Sequence, residues 1–297
     1  MYTFTLLNKF GTALFYSPFT FAQYRHRLQK LVPDGTTVAI GVSNLGQPIG
    51  LAIAEVFLEN NYAKILSIFV ESSHRRQKIG AALLTRLEEE LYTQGCTQAK
   101  LFWKKGKPVA LPLERLLQKC NWSTPQPCNI ECKSDLDAIA EAPWFQMKFR
   151  LSPDMTVFPW AEITERERIV IKQTQELEPW FDEKLNPFQN EENFEPLNSL
   201  GLRYQGRVVG WMLTERIKPD TIEYRCMFVR QDLQKLGRGI ALFVNAIKIQ
   251  NKANVPNGIW RVKLDNPPML RFVKKHMKPY LTSFDKVSCS SKLLINN

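Results

Sequence analysis

The sequence predicts an α+β protein made of two copies of one domain, each a mixed, mostly antiparallel sheet flanked by helices. The prediction rests on two alignments of the chain with itself. The stretch IFVESSHRRQKIGAALL (68–84) aligns without a gap on MFVRQDLQKLGRGIALF (227–243). Upstream, GQPIGLAIAE (46–55) aligns on GRVVGWMLTE (206–215) at almost the same offset. Such ordered self-similarity indicates a duplication, and we place the two domains at residues 1–151 and 152–297.

The first copy alternates strand and helix signals. The β-rich runs TTVAIGV and IGLAIAEVF are joined by a turn at 44–46, and ILSIFV is the next strand. AALLTRLEEELYTQG has the pattern of an amphipathic helix that ends at Gly95. AKLFW is a strand, PLERLLQKCNW is a helix, and the strand-like runs NIECK and FQMKFR follow the PQP break at 125–127. We therefore expect NIECK and FQMKFR to close the first domain.

The second copy begins near Ser152 and repeats this order. It contains helical ITERERIVIKQTQEL, strands LGLRY, VVGWMLT and IEYRCMFV, helix IALFVNAIKIQNK, strand IWRVKL, helix MLRFVKKHM and a final SFDKVSCSSKLLI. Helices mixed with a largely antiparallel sheet define the α+β class.

Length, charge and cysteines limit the classes of function. The 297 residues carry a net charge of +11, shared by both halves, which favours anionic partners or serves solubility alone. The six cysteines show neither CxxC nor Cys/His spacing, so we expect no metal site and reduced thiols, as in a cytoplasmic protein. We see neither a signal peptide nor an apolar run of membrane-spanning length, and expect no membrane association. The oligomeric state is not fixed by the sequence.

Each copy has a basic loop between a strand and a helix. In the second copy the loop has the pattern Q-x-x-G-x-G, formed by Gln234, Lys235, Leu236, Gly237, Arg238 and Gly239. In the first copy it has the pattern R-x-x-K-x-G, formed by Arg75, Arg76, Gln77, Lys78, Ile79 and Gly80. The first turn of a helix presents unpaired N–H groups and partial positive charge, and glycines let a backbone approach closely. Both loops therefore suit a pyrophosphate.

The first loop departs from this pattern at one position. Lys78 aligns with Gly237. If the backbone there has a positive φ, a side chain costs about 1–2 kcal/mol, although a lysine can offset part of this by pairing with a phosphate. We therefore expect the first copy to bind a phosphate ligand more weakly than the second, or to serve as a scaffold.

These loops and the element order resemble the acyl-CoA N-acyltransferase (GNAT) superfamily, with its signature [R/Q]-x-x-G-x-[G/A] after the fourth strand. The resemblance covers nearly the whole chain as two GNAT domains. It implies that loop amides hold the pyrophosphate of the co-substrate acetyl-CoA. It also implies that the fourth and fifth strands splay apart around the pantetheine arm and that the acetyl group passes directly to an amine.

The resemblance also implies roles for residues of the fourth strand. The backbone near Phe228 and Val229, or near Phe69 and Val70 in the first copy, would stabilise the oxyanion of the thioester. Glu223 occupies the position of a general base. The alternative is that Glu223 is a solvated strand carboxylate held ionised by Arg225.

Other positions of the family pattern are less complete. Asn266 lies where the family often contacts CoA, yet it is equally explained as a helix N-cap before Pro267. The tyrosine that protonates the leaving thiolate in many members is replaced by Val273 and Leu117. A thiolate is a fair leaving group without an acid, and Tyr280 either substitutes for the missing acid or simply packs in the core.

The acceptor is the least defined part of the prediction. The segment ELEPWFDEKLNPFQNEENFEP (176–196) combines carboxylates with aromatic rings. In the family this region borders the acceptor site, so it favours a cationic amine, unless it is only a solvated face. We expect an acetyl-CoA-dependent N-acetyltransferase acting on a small-molecule or peptide amine, with the second copy as the catalytic half.

Two alternatives stay open at this point. One is a non-catalytic acyl-CoA-binding or sensing protein, which the missing tyrosines favour. The other is an aminoacyl-tRNA-dependent transferase, since those enzymes also pair GNAT-like domains. The sequence shows no RNA-binding motif with interleaved aromatic residues, so we do not expect a nucleic-acid partner.

Overall fold

The computed structural model describes residues 1–29, 31, 35–147, 151–234 and 237–295. The strands are β1 (Tyr2–Leu6), β2 (Thr37–Asn44), β3 (Gln47–Phe57), β4 (Tyr62–Val70), β5 (Gln98–Lys104), β6 (Gln126–Asp135), β7 (Met155–Pro159), β8 (Leu200–Tyr204), β9 (Arg207–Lys218), β10 (Thr221–Val229), β11 (Asn257–Lys263) and β12 (Ser283–Leu293). The helices are α1 (Phe10–Leu14), α2 (Arg25–Gln29), α3 (Ile79–Thr93), α4 (Ala110–Lys119), α5 (Leu136–Ala140), α6 (Pro143–Gln146), α7 (Glu165–Leu177), α8 (Arg238–Lys252) and α9 (Pro267–Phe272).

The chain divides into two compact units. The N-terminal unit consists of Met1–Cys128 with Lys286–Asn297, and the C-terminal unit consists of Asn129–Asp285. This division differs from the predicted one at 151/152, because each unit takes one strand from the other half of the sequence. Strand β12 pairs with β5 in the N-terminal unit, and β6 pairs with β11 in the C-terminal unit.

The sheet of the N-terminal unit has the order β1-β2-β3-β4-β5-β12. Its pairs are antiparallel except for β4–β5, which is parallel. The helix α3 buries residues three and four apart along its length, including Leu83 and Leu87, as an amphipathic helix does. These side chains pack with Leu117 of α4 on one face of the sheet. On the other face, residues of α1 and α2 such as Leu28 pack against β3.

The sheet of the C-terminal unit has the order β6-β11-β10-β9-β8-β7 and is parallel only at β10–β11. One face carries α8 with α5 and α6, where Trp144 and Leu242 belong to the same core cluster. The other face carries α7, whose Ile171 packs in a cluster with Trp211 and Phe228. Each unit therefore has the predicted α+β layering.

The exchanged strand β12 is held in the N-terminal unit by polar contacts. Lys292 Nζ lies 2.6 Å from a carboxylate oxygen of Glu88, a buried residue of α3. The other carboxylate oxygen of Glu88 accepts a hydrogen bond from Trp122 Nε1 at 2.7 Å. Ser290 Oγ donates to the carbonyl of Ser123 at 2.6 Å. A buried charge needs partners of this kind, so these contacts fix the position of β12.

The predicted strand over FQMKFR (145–150) is wrong where the structure describes it. Phe145 and Gln146 belong to α6, a single helical turn that begins at Pro143, and Trp144 and Phe145 are buried. Proline at the first helical position favours this turn, and residues 148–150 lie outside the described part of the chain. Among the described residues, no helix is long and apolar enough to cross a membrane.

Candidate active site

The parallel strands of the N-terminal unit separate to form a cleft. The pairing of β4 with β5 runs from Tyr62–Gln98 to Ile65–Leu101, and both strands then continue beyond it. A register shift in the β3–β4 pairing inserts an extra residue, Leu66, at this point. Such a bulge bends its strand and ends regular pairing. The strands β10 and β11 of the C-terminal unit part in the same way after Tyr224–Trp260.

The loop that follows β4 wraps around the end of this strand. Arg75 Nε donates a hydrogen bond to the carbonyl of Val70 at 2.8 Å. The Tyr2 hydroxyl donates to Gln77 Oε1 at 2.5 Å. Both Arg76 and Lys78 have φ of 63°, and Lys78 is the N-cap of α3. The backbone at Lys78 thus has the positive φ that glycine usually supplies.

This geometry leaves a row of amides without partners. Among the described residues, the N–H groups from Arg76 to Gly80 have no hydrogen-bond acceptor, whereas those of Ala81 and Ala82 both reach the Lys78 carbonyl at 3.1 Å. Alternating left- and right-handed backbone conformations turn successive N–H groups toward one anion site. A methyl group built on Gly80 would meet protein atoms no closer than 3.8 Å. Because no protein atom occupies this space, a phosphate can approach the backbone there.

The loop of the C-terminal unit repeats the main features. Gln234 Nε2 donates to the carbonyl of Val229 at 2.8 Å, which is the contact that Arg75 makes with Val70. Gly237 has φ of 71° and is the N-cap of α8. Arg238 donates to the carbonyl of Leu233 at 3.2 Å. The predicted cofactor residues Lys235 and Leu236 lie outside the described residues.

The two clefts differ in how far their strand residues are covered. Phe69 of β4 is 40% exposed, and the matching Phe228 of β10 is 8% exposed. Phe228 lies under Trp211 and Trp180, with ring centroids 4.8 and 5.4 Å away. The face of the C-terminal cleft opposite α8 is therefore filled by aromatic side chains, and the corresponding face of the N-terminal cleft is open at Phe69.

The two units also differ in charge. The N-terminal unit contains 17 Lys and Arg residues against 8 Asp and Glu, an excess of nine, whereas the C-terminal unit contains 23 against 21, an excess of two. Carboxyl ends of parallel strands meet at one edge of a sheet. The cations that follow β4 and β5 therefore share the mouth of the N-terminal cleft, and they are Arg75, Arg76, Lys78, Lys105 and Lys107. The sequence halves had hidden this asymmetry, because the unit boundaries differ from the halves.

The candidate base Glu223 is an ion-pair residue. Its carboxylate accepts a hydrogen bond from Arg261 of β11, and Arg261 also lies 2.9 Å from a carboxylate oxygen of Glu131. The predicted partner Arg225 instead pairs with Glu215 on β9. Arg225 is the extra residue of the β10 bulge, so simple strand alternation does not give its partner. This geometry favours the structural interpretation of Glu223.

The remaining predicted positions of the C-terminal unit also have structural partners. Asn266 is the N-cap of α9, and its side chain accepts the Met269 N–H at 3.2 Å. Val273 is buried at the start of a π-helical turn, and Tyr280 packs against the same core. In the N-terminal unit, Leu117 is fully buried.

The acidic and aromatic segment at 176–196 is largely a core element. Trp180 and Phe181 pack with Trp211 in the cluster under α7, and Phe188 and Phe194 pack against that cluster. Glu191 is held by Arg168 at 2.5 and 2.8 Å, and Glu195 is buried and paired with Arg216 at 2.5 Å. The rings therefore do not form the rim that would attract a cationic acceptor.

Comparison with known proteins agrees with this architecture. Residues 5–122 match the model of the acetyltransferase (GNAT) family. No curated protein matches the sequence. A tandem GNAT protein from the clavulanic acid biosynthesis pathway is 13% identical, with a TM-score of 0.72 over 100% of both chains. A GCN5-related N-acetyltransferase from Sphaerobacter thermophilus is 15% identical, with a TM-score of 0.65 over 100% of this chain and 96% of that one.

A third similar structure is only part of a larger protein. It is a glucosamine N-acetyltransferase region of a fungal multi-domain GH3 β-N-acetylglucosaminidase, 13% identical, with a TM-score of 0.71. The alignment covers 98% of this chain and 38% of that one. At these identities the likenesses establish the fold. The chain is a tandem GNAT protein in fold, and its residues 5–122 belong to the acetyltransferase (GNAT) family.

Proposed function

We propose that the protein is an acetyl-CoA-dependent N-acetyltransferase whose CoA site lies in the N-terminal unit. One observation carries the proposal: the row of unpartnered N–H groups from Arg76 to Gly80 at the mouth of the β4–β5 cleft. Backbone amides at a helix N-terminus bind phosphates well. The five cations at the mouth add long-range attraction for a pyrophosphate.

The chain supplies positioning and electrostatics to the transfer. Bound acetyl-CoA supplies an activated thioester: the amine nitrogen forms a C–N bond, the C–S bond breaks, and in the net reaction a proton moves from nitrogen to sulfur. Successive N–H groups of a strand point to opposite edges, so alternate amides of β4 beyond Ile65 face the cleft. Near Phe69 and Val70 such an amide stabilises the oxyanion in a site with little water.

The sequence favoured the second copy as the catalytic half, and we propose the reverse. Family membership is established for residues 5–122. The C-terminal cleft is covered at Phe228, and its two candidate polar groups have other partners, Glu223 in an ion pair with Arg261 and Asn266 in a helix cap. Lys78 already adopts the backbone conformation of Gly237, so the lysine does not distort the N-terminal loop.

A non-catalytic acyl-CoA-binding protein is the second candidate. The observation that favours it is the burial of Leu117 and Val273, the two positions where many family members carry the tyrosine acid. Turnover separates the two candidates. Release of CoA and formation of the amide would be followed by chromatography and mass spectrometry over a panel of amines. Amide formation that disappears in Gly80→Ala supports the proposal, whereas tight binding without amide formation on every amine class supports the sensor.

A further inference from the structure

The far end of the N-terminal cleft has a distinct composition. Pairing between β4 and β5 stops at Ile65–Leu101, so the last paired residues lie at the apex of the cleft. Ala63 and Ile65 belong to the core on the α3 face. Alternation along a strand then places Lys64 on the opposite face. On β5, Lys100 pairs in register with Lys64 and lies on that same face.

Aromatic rings lie beside both lysines. The Nζ atom of Lys64 is 5.9 Å from the centroid of the Phe102 ring, and that of Lys100 is 5.2 Å from the Tyr62 ring. The Tyr62 ring stacks on Phe57 at 5.2 Å. A ring under an ammonium stabilises its charge and limits its motion. The two cationic heads are therefore held at the apex.

Carboxylates do not cancel this charge among the described strand residues of the face. The positions of this face in β4, β5 and residues 286–293 of β12 are Tyr62, Lys64, Leu66, Ser67, Phe69, Gln98, Lys100, Phe102, Lys104, Val287, Cys289, Ser291 and Leu293, none of them acidic. On the neighbouring strand β3, Glu55 pairs with Arg27 of α2 at 2.6 Å. Taken together, Arg27, Glu55, Lys64 and Lys100 carry a net charge of +2.

We propose that the acceptor amine of this unit carries an oxyanion, a carboxylate or a phosphate, that binds Lys64 and Lys100 at the apex of the cleft. The inference rests on the proposed function, because a ligand anchored at the α3 N-terminus leaves the opposite face of the cleft for the second substrate. An ammonium-rich polyamine would meet like charge there. This replaces the cationic acceptor that the segment at 176–196 had suggested.

Matched amines test the proposal. O-phosphoethanolamine is compared with ethanolamine, β-alanine with propylamine, and spermidine is the cationic case. We expect the anionic member of at least one pair to have a kcat/KM about tenfold or more above its neutral partner, the effect of one charge-assisted hydrogen bond. The phosphate and carboxylate pairs show which oxyanion is preferred. Equal rates within both pairs, or the fastest rate with spermidine, would overturn the proposal.

Two variants separate this inference from the proposed function. Lys100→Gln should raise the KM of the anionic acceptor about tenfold and leave the KM of acetyl-CoA and the rate with neutral amines unchanged. Lys119→Gln is the control, since Lys119 is an exposed lysine at the end of α4, and it removes the same charge. An equal loss with both variants would contradict the assignment.

Direct binding gives a readout that does not depend on turnover. Calorimetry of O-phosphoethanolamine against wild type and Lys100→Gln should show binding only to the wild type. Failure of acetyl-CoA to bind, with this difference intact, would sink the proposed function alone. Acetyl-CoA binding and turnover of neutral amines, without this difference, would sink the anionic acceptor alone.

Discussion

Removal of Lys292 should weaken the N-terminal unit although this residue lies near the end of the sequence. The side chains of Lys292 and Glu88 are 21% and 8% exposed, and their charged atoms lie 2.6 Å apart. Removing one partner of a buried pair costs about 3–5 kcal/mol. Lys292 is partly exposed and Trp122 still donates to Glu88, so we expect roughly 2–3 kcal/mol for Lys292→Met, which discounts that range for screening.

The reciprocal variant should cost less. In Glu88→Gln the amide oxygen keeps the Trp122 hydrogen bond, and the flexible lysine can extend to water, so we expect about 1 kcal/mol. At about 2–4 °C per kcal/mol for a domain of this size, Lys292→Met should lower the Tm by about 4–12 °C and Glu88→Gln by about 2–4 °C. The double variant should lose less than the sum, because the two residues interact.

Calorimetry measures these shifts, and amide hydrogen exchange locates them. Lys292→Met should reduce protection in β5, the partner of β12 in the N-terminal unit. Lys119→Met serves as the control for loss of an exposed lysine. A Tm of Lys292→Met within about 1 °C of the wild type, or lost protection confined to β11, would refute the placement of β12.

Three further predictions concern the C-terminal unit. Arg203 hydrogen-bonds Glu167 and lowers its pKa from 4.5 to about 2. Because the folded pKa lies below the unfolded one, this stabilisation is present above pH 5 and is lost as the pH falls toward 2; the Tm deficit of Glu167→Gln, about 1–2 kcal/mol at pH 7, should therefore shrink by pH 3. Gln250→Leu should cost about 2–4 kcal/mol in urea unfolding, because Gln250 is fully buried and accepts the Tyr224 hydroxyl at 2.7 Å. Trp180→Ala should cost about 3–5 kcal/mol and leave acceptor KM values unchanged; a change of KM without loss of stability would restore an acceptor role for this segment.

The local parts of the fold could be predicted from the sequence. The duplicated strand, loop and helix were visible because they depend on neighbouring residues, namely a β-rich run, a basic loop and an amphipathic pattern. The positive φ at Lys78 followed from its alignment with Gly237. The contact from Arg75 to the Val70 carbonyl was not predicted, yet the shared R/Q position of the two loops was a signal for it.

The non-local parts could not be predicted in this way. The exchange of β6 and β12 depends on strand pairing over more than a hundred residues, and both strands look alike in sequence. Glu223 pairs with Arg261, which is 38 residues away, so strand alternation pointed to Arg225 instead. The rings of 176–196 looked like a binding rim because a sequence does not show which aromatic residues face a core.

The site that binds acetyl-CoA is tested most directly by two matched glycine variants. In Gly80→Ala and Gly239→Ala the new methyl group meets protein atoms no closer than 3.8 Å, so both variants should fold normally. Isothermal titration calorimetry of acetyl-CoA should show one site in the wild type. We predict that Gly80→Ala weakens this binding by about 10–100-fold, through lost amide–phosphate hydrogen bonds, and that Gly239→Ala leaves it within about twofold. Loss of binding in Gly239→Ala with Gly80→Ala unaffected would contradict the assignment of the site to the N-terminal unit.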